Sequence, residues 1–198
     1  MEKKFILTDK FVINSFGIKL FQIKCTKSFK YAQKGDFGGY VEKEGNLDQE
    51  NDAWVFGNAR VSSNARVFGN ARVSGYALVS GYAWVSGYAW VSGDARVSGN
   101  ARVSGDAWVS GNAWVSGDAD IENDNEHCGF DGFGSCNRHT HAYMTKEKKV
   151  EIICGCFRGS IEEFEKKVEE THSGTVYEKQ YKSIINVIKI KFGLTDFT

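Results

Sequence analysis

From residue 50 onward, apolar and polar positions follow a strict six-residue period. The unit is Val-Ser-Gly-x-Ala-x, as in Val91-Ser92-Gly93-Asp94-Ala95-Arg96. Its aliphatic position recurs from Val55 to Ile121 through twelve hexads without an insertion, and an alanine stands two residues before each, from Ala53 to Ala119. A helix cannot use this period, because six residues turn a side chain through about 600°, about 240° away from its starting face. A strand can. In Ala-x-Val the outer two side chains share one face and the middle one points the other way. Ser-Gly-Asn or Ser-Gly-Asp then supplies a corner, where Gly and Asn/Asp accept the left-handed backbone that a tight bend needs. Three sides close a coil of 18 residues, so the twelve hexads predict four coils stacked at about 4.8 Å per layer.

The middle residue of each Ala-x-Val faces outward, and stacking by 18 sorts these residues into three columns. The first is Trp54, Arg72, Trp90 and Trp108, the second Arg60, Leu78, Arg96 and Trp114, and the third Arg66, Trp84, Arg102 and Asp120. All five tryptophans are expected on this exterior, with Tyr76, Tyr82 and Tyr88 at corners. Such a ladder is either cation–π packing between rungs or an interface. The column Trp54/Arg72/Trp90/Trp108 is the candidate oligomer interface.

Asp52 to Glu122 resembles the hexapeptide-repeat left-handed β-helix family. The left-handed sense comes from that resemblance, since crossovers between parallel strands are generally right-handed. The resemblance also implies a homo-oligomer, with a trimer favoured. Acyltransferases on this fold carry a catalytic His and loops that interrupt the repeat. Here no His precedes His127, and the hexads are unbroken. The flat Thr arrays of ice-binding solenoids are absent from the outward columns.

The flanks differ from the repeat. Residues 1–49 hold nine lysines and residues 44–145 none. Phe5-Ile6-Leu7, Phe11-Val12-Ile13 and Gly17–Ile23 read as strands separated by turns at Asp9-Lys10 and Asn14-Ser15. The run Lys34–Leu47, with Gly35, Gly38 and Gly39, leads into the prism. It lacks the GK[ST] of a phosphate-binding loop and reads as an N-terminal cap; it resembles the lead-in of solenoid proteins from bacteriophage and prophage genomes. After the repeat, residues 123–140 read as loop, with two short strands around His139–Thr145 and Val150–Cys154. Ser160 with Glu163 forms a capping box ahead of a helix lined by Ile161, Phe164 and Val168. A second helix is expected from Val176 to Phe192. The fold class is mainly β: a left-handed parallel β-helix (50–122) between a strand-rich N-terminal β cap (1–49) and a small ββαα, α+β domain (123–198).

Composition narrows the partners. Twenty-five Lys+Arg balance 25 Asp+Glu, which argues against a duplex nucleic-acid binder held by bulk charge. No apolar run has the length of a membrane span. Met1-Glu2-Lys3-Lys4 does not begin a signal peptide, and five cysteines is an odd count, so reduced thiols and a cytoplasmic location are expected. Proline is absent, which suits a backbone whose N–H groups are needed in ladders.

Candidate chemistry collects in the tail. His127, Cys128, Cys136, His139, His141, Cys154, Cys156 and His172 include every His and four of the five Cys. Soft S and N donors would suit zinc, but the spacing matches no standard zinc knuckle. Cys156 with His172 is the pair to expect of a hydrolase, Cys154 and Cys156 read more readily as small core residues under the helices, and Arg138, His139, Thr140, Ser160 and His172 could surround a phosphate. Gly134-Ser135, Arg138, Thr140, Cys154-Gly155-Cys156-Phe157, Gly159, Phe164, Val168, His172 and Tyr181 together resemble a recurrent phage and prophage C-terminal domain. That resemblance implies a location and no settled activity. The reading adopted is a non-catalytic, phage-type binding protein without cofactor or resident metal. It would sequester a nucleotide-type signal or block a bacterial defence protein. The alternatives are an enzyme, as a hexapeptide-type transferase or a Cys/His hydrolase, and a structural assembly protein.

Overall fold

A computed structural model describes residues 2–195. The chain divides into two compact units, Met1–Asn123 and Asp124–Thr198. In the first, β1 (Phe5–Ile13), β2 (Lys19–Cys25) and β3 (Phe37–Val41) precede twelve two-residue strands. These are β4 at Trp54–Val55 and one every six residues thereafter, ending with β15 at Asp120–Ile121. In the second, β16 (His127–Phe133), β17 (Arg138–Met144), β18 (Val150–Cys154) and β19 (Phe157–Ser160) are followed by α1 (Ile161–His172) and α2 (Val176–Lys191).

The repeat is a parallel β-solenoid. Its three sheets run β4-β7-β10-β13, β6-β9-β12-β15 and β5-β8-β11-β14, in the 18-residue register expected: Trp90 stands beside both Arg72 and Trp108. Hydrogen bonds join each coil to the next along the faces and around the corners, as in Trp90 N–H to Ala107 O (2.9 Å), Ser92 N–H to Val109 O (2.9 Å) and Asp94 N–H to Gly111 O (3.0 Å). Proline would remove such a donor, which is the physical sense of its absence. Inside, every valine from Val55 to Val115 is sealed from solvent, as is Ile121.

The corners depend on backbone shape. Gly93 has φ +67°, and a Cβ there would lie 2.9 Å from the backbone nitrogen of Gly111 in the next coil. Ser63 occupies a corner of the first coil, one coil before Gly81, with φ 59°, and its N–H donates to a Glu42 carboxylate oxygen at 2.6 Å.

The flank before the repeat extends the solenoid beyond the four coils expected. β3 runs parallel to β5, pairing Tyr40 with Arg60 and Val41 with Val61, and Leu47 bridges to Val67. The offset here is 20 residues, so the lead-in makes a slightly longer additional turn, about five in all. Gly39 permits this approach, since a Cβ would lie 2.6 Å from Ala59 O. Phe5–Ile13 is a single strand with an irregularity between Leu7 and Phe11, where the sequence suggested two strands and a turn.

The same flank corrects the expected exterior. Trp54 is only 2% exposed: Phe5 and Phe29 pack edge-on against its ring, at 6.3 and 5.3 Å between centroids. Lys4 holds this cover down by donating to Asn51 O (2.5 Å) and Ala53 O (2.9 Å). Trp54 therefore does not face outward as a contact for a second copy. Above it, Arg72 lies 4.4 Å from the Trp90 ring, and Trp90 stacks on Trp108 (5.2 Å, 7° between planes). Their indole N–H groups donate to Ser74 and Ser92.

The second unit is an antiparallel meander, β16-β17-β18-β19, with both helices on one face. Two strands were expected and four are present: β16 lies in the segment read as loop, and β19 follows the two-residue turn Gly155-Cys156. Ser160 caps α1 as the capping box predicts, accepting from Glu163 N–H while its own N–H donates to Glu163. Among the described residues no helix is long and apolar enough to cross a membrane.

Two stability measurements follow from this packing. Gly93→Ala should cost about 2 kcal/mol in urea unfolding, and Ser63→Gly should gain about 0.5–1 kcal/mol, because these corners impose the left-handed backbone in which a Cβ is strained. Burial pushes the Lys4 ammonium down to about 8. The unfolded chain keeps that proton up to about pH 10.4, so it binds more protons than the folded protein between the two values. Stability from Lys4 therefore rises with pH over this window and is lost as pH falls through about 8. Relative to Lys4→Met, the wild type should gain about 2 kcal/mol between pH 8 and 10.5 in paired unfolding titrations.

Candidate functional site

Alternation along β17 sorts the tail's polar residues. Thr140 and Ala142 point toward the helices, while His139, His141 and Tyr143 take the other face. Thr140 is fully buried and donates to Cys154 Sγ at 3.3 Å. On the far face, His141 lies 3.2 Å from His127 through ring nitrogens, and its ring meets those of His139 and Tyr143 at a tilt, both at 5.7 Å between centroids. His139 bonds Asp131 at 2.8 Å.

At one end of the helix-covered side lies a cavity of about 300 Å³, lined by Ser135, Cys136, Arg138, Cys154, Cys156, Phe157, Phe164, Lys167, Val168, Thr171, His172 and Tyr181. Three local features shape it. The tight β18–β19 turn leaves Gly155 without a side chain, and the Arg138 guanidinium occupies the space: a Cβ there would lie 2.3 Å from Nη1. Gly134 likewise leaves room for the Tyr181 hydroxyl, and its N–H donates to Gln180 at 2.9 Å. The helical period brings Phe164, Lys167, Val168, Thr171 and His172 to one side of α1.

The floor is aromatic. Phe164 packs on Phe157 (5.0 Å) and edge-on against Tyr181 (5.6 Å), and the His172 ring lies along Tyr181 (5.5 Å, 27°). Burial, reinforced by Cys154 at 3.7 Å, holds the Tyr181 hydroxyl well above the usual phenol range, so it stays a neutral donor. The rim is basic: Arg138 and Lys167 contribute cations beside the His172 imidazole, and none of the twelve lining residues is a carboxylate. Lys167 also reaches Glu170 at 3.4 Å.

The structure thus unites Arg138 and His172 from the expected phosphate site and separates the rest. His139 is on the opposite face of the sheet, and Thr140 is beneath the surface. Ser160 caps the other end of the twelve-residue α1, about 16–18 Å from His172. Its Oγ donates to Glu162 at 2.7 Å, so two carboxylates already occupy that helix start. Cys156 and His172 both line the cavity, but among the described residues no hydrogen bond joins them. The sheet splits the eight-member His/Cys set, with Cys136, Cys154, Cys156 and His172 at the cavity and His127, His139 and His141 on the other face, and among the described residues no three His, Cys, Asp or Glu side chains converge to hold a metal ion. Lys167 was missed from sequence, although its spacings of three from Phe164 and four to Thr171 signal a shared helix side.

A sequence profile described as the YdcK beta solenoid repeat matches residues 65–81, 89–105 and 95–111. No curated protein matches the chain.

The thiols should separate by environment. Burial pushes Cys128 up to about 11 and raises Cys25 as well, and Cys154 is covered, whereas Cys136 and Cys156 are exposed. In native protein at pH 8 a thiol reagent should label two cysteines rapidly and the other three only after denaturation, with Cys136→Ser and Cys156→Ser each removing one fast site.

Proposed function

We propose that the protein is a non-catalytic binding protein whose C-terminal unit holds a small anionic ligand with a flat apolar body, of the nucleotide type. One observation carries the proposal: a cavity of about 300 Å³ with three basic side chains, an aromatic floor and no lining carboxylate. Charge-assisted hydrogen bonds from Arg138 would take the anionic group, while Phe157, Phe164 and Tyr181 would meet the base. The volume lies at the small end for ligand pockets, which favours a mononucleotide or a compact cyclic nucleotide over a dinucleotide. The resemblance of the tail to a phage and prophage domain supports a counter-defence setting, in which the protein keeps a signalling nucleotide from its receptor.

The competing reading is a Cys/His hydrolase, favoured by the presence of Cys156 and His172 in the same cavity. The two readings part over what happens to the ligand. In thermal-shift titrations against a panel of mono-, di- and cyclic nucleotides, at least one should raise the midpoint. Arg138→Gln should weaken that ligand at least tenfold, and mass spectrometry of the released compound should find it intact. A cleaved product, with turnover abolished in Cys156→Ser, would establish the enzyme instead. A panel without any shift would remove the nucleotide reading.

A further inference from the structure

The solenoid carries a second, separate set of exposed basic and aromatic side chains. On two neighbouring faces the outward residues repeat in bands. Arg60 and Arg66 stand on one rung, Leu78 and Trp84 on the next, and Arg96 and Arg102 on the third. Tyr82, at the corner between Leu78 and Trp84, is 64% exposed, and Trp84 is 40% exposed. Among the described residues none of these four arginines lies within ion-pair distance of a carboxylate. Glu44 and Asp48 share a shallow depression with Arg66, but Glu44 is engaged by Lys3 at 2.7 Å and Asp48 by Asn51 at 2.8 Å.

Aromatic rings position part of this charge. The Arg102 guanidinium sits 5.1 Å from the Trp84 ring centre, and that of Arg66 5.7 Å from Phe68. Stacking holds a guanidinium in place through its face, which leaves its N–H donors at the edge unspent. Among the described residues, Arg66 and Arg102 thus present oriented donors outside any ion pair, with Asp120 the register neighbour of Arg102 one rung on.

Spacing identifies what they fit. The two arginine rungs are two layers apart, about 10 Å, with an apolar band midway. An extended β-linked polysaccharide advances by about one rung per sugar. If acidic and neutral sugars alternate, its carboxylates meet the two arginine rungs and an apolar sugar face meets Leu78, Tyr82 and Trp84. Single-stranded nucleic acid carries a charge on every residue and would leave those beside the apolar band without a counter-ion. We propose that this edge of the solenoid binds an acidic polysaccharide in which charged and uncharged sugars alternate, lying along the solenoid axis.

The test uses the full-length protein and a hyaluronan octasaccharide, with cellohexaose and a twelve-residue oligothymidylate as comparisons, by titration calorimetry. The octasaccharide should bind saturably and cellohexaose should not. Arg96→Gln/Arg102→Gln should weaken binding at least tenfold, and Tyr82→Ala severalfold. Circular dichroism should be unchanged, and so should mass by light scattering. Arg96→Lys/Arg102→Lys, which keeps the charge, should recover part of the loss. The proposal is overturned by absence of saturable octasaccharide binding, by equal affinity in the Gln variant, or by tighter binding of the oligothymidylate. A lower mass in the Gln variant would also overturn it, because the edge would then be an interface between copies of this chain.

Discussion

The hydrogen-bond ladder between successive coils is the constraint on which the first unit depends. Each coil donates to the next from face and corner alike, so the path of one coil dictates that of its neighbour. A period that drifted by one residue would turn the valine row outward and the arginine and tryptophan columns inward. This is why the hexads run unbroken, why glycine recurs at corners where the next coil passes within van der Waals distance, and why proline has no place.

The same rigidity gives the exterior its meaning. Outward side chains cannot choose their neighbours; register places Trp90 between Arg72 and Trp108, and Trp84 between Arg66 and Arg102. Cation–π and stacking contacts then follow from position, and the guanidinium groups of Arg66 and Arg102 are held against rings, outside any ion pair among the described residues. The second unit reaches its cavity by another route. Two residues without side chains, Gly134 and Gly155, make room for Tyr181 and Arg138, and one side of α1 completes the wall. A small basic, aromatic recess is built from segments far apart in sequence.

Legibility from sequence followed the strength of the local repeat. The solenoid, its columns and the capping box at Ser160 could be read because period and spacing are themselves the structural rule. β16 could not, because His127–Phe133 is rich in glycine and polar residues and becomes a strand by pairing with β17. β19 carried a weak signal in the two-residue turn Gly155-Cys156, ahead of a short segment. Trp54 obeyed the expected stacking yet is covered by Phe5 and Phe29, a contact made by residues outside the repeat.

The candidate site divides along the same line. Residue types alone singled out Arg138 and His172, and the structure brings them to one cavity. The same reasoning groups His139 and Thr140 with them by adjacency in sequence and Ser160 as a helix start; alternation across β17 and the length of α1 separate them. Sequence by itself determined the parallel coils, their core and the order of side chains on each face, since a six-residue period admits no other regular packing. Tertiary structure decided which of those side chains remain accessible and which polar residues meet, since both depend on contacts between segments that share no local pattern.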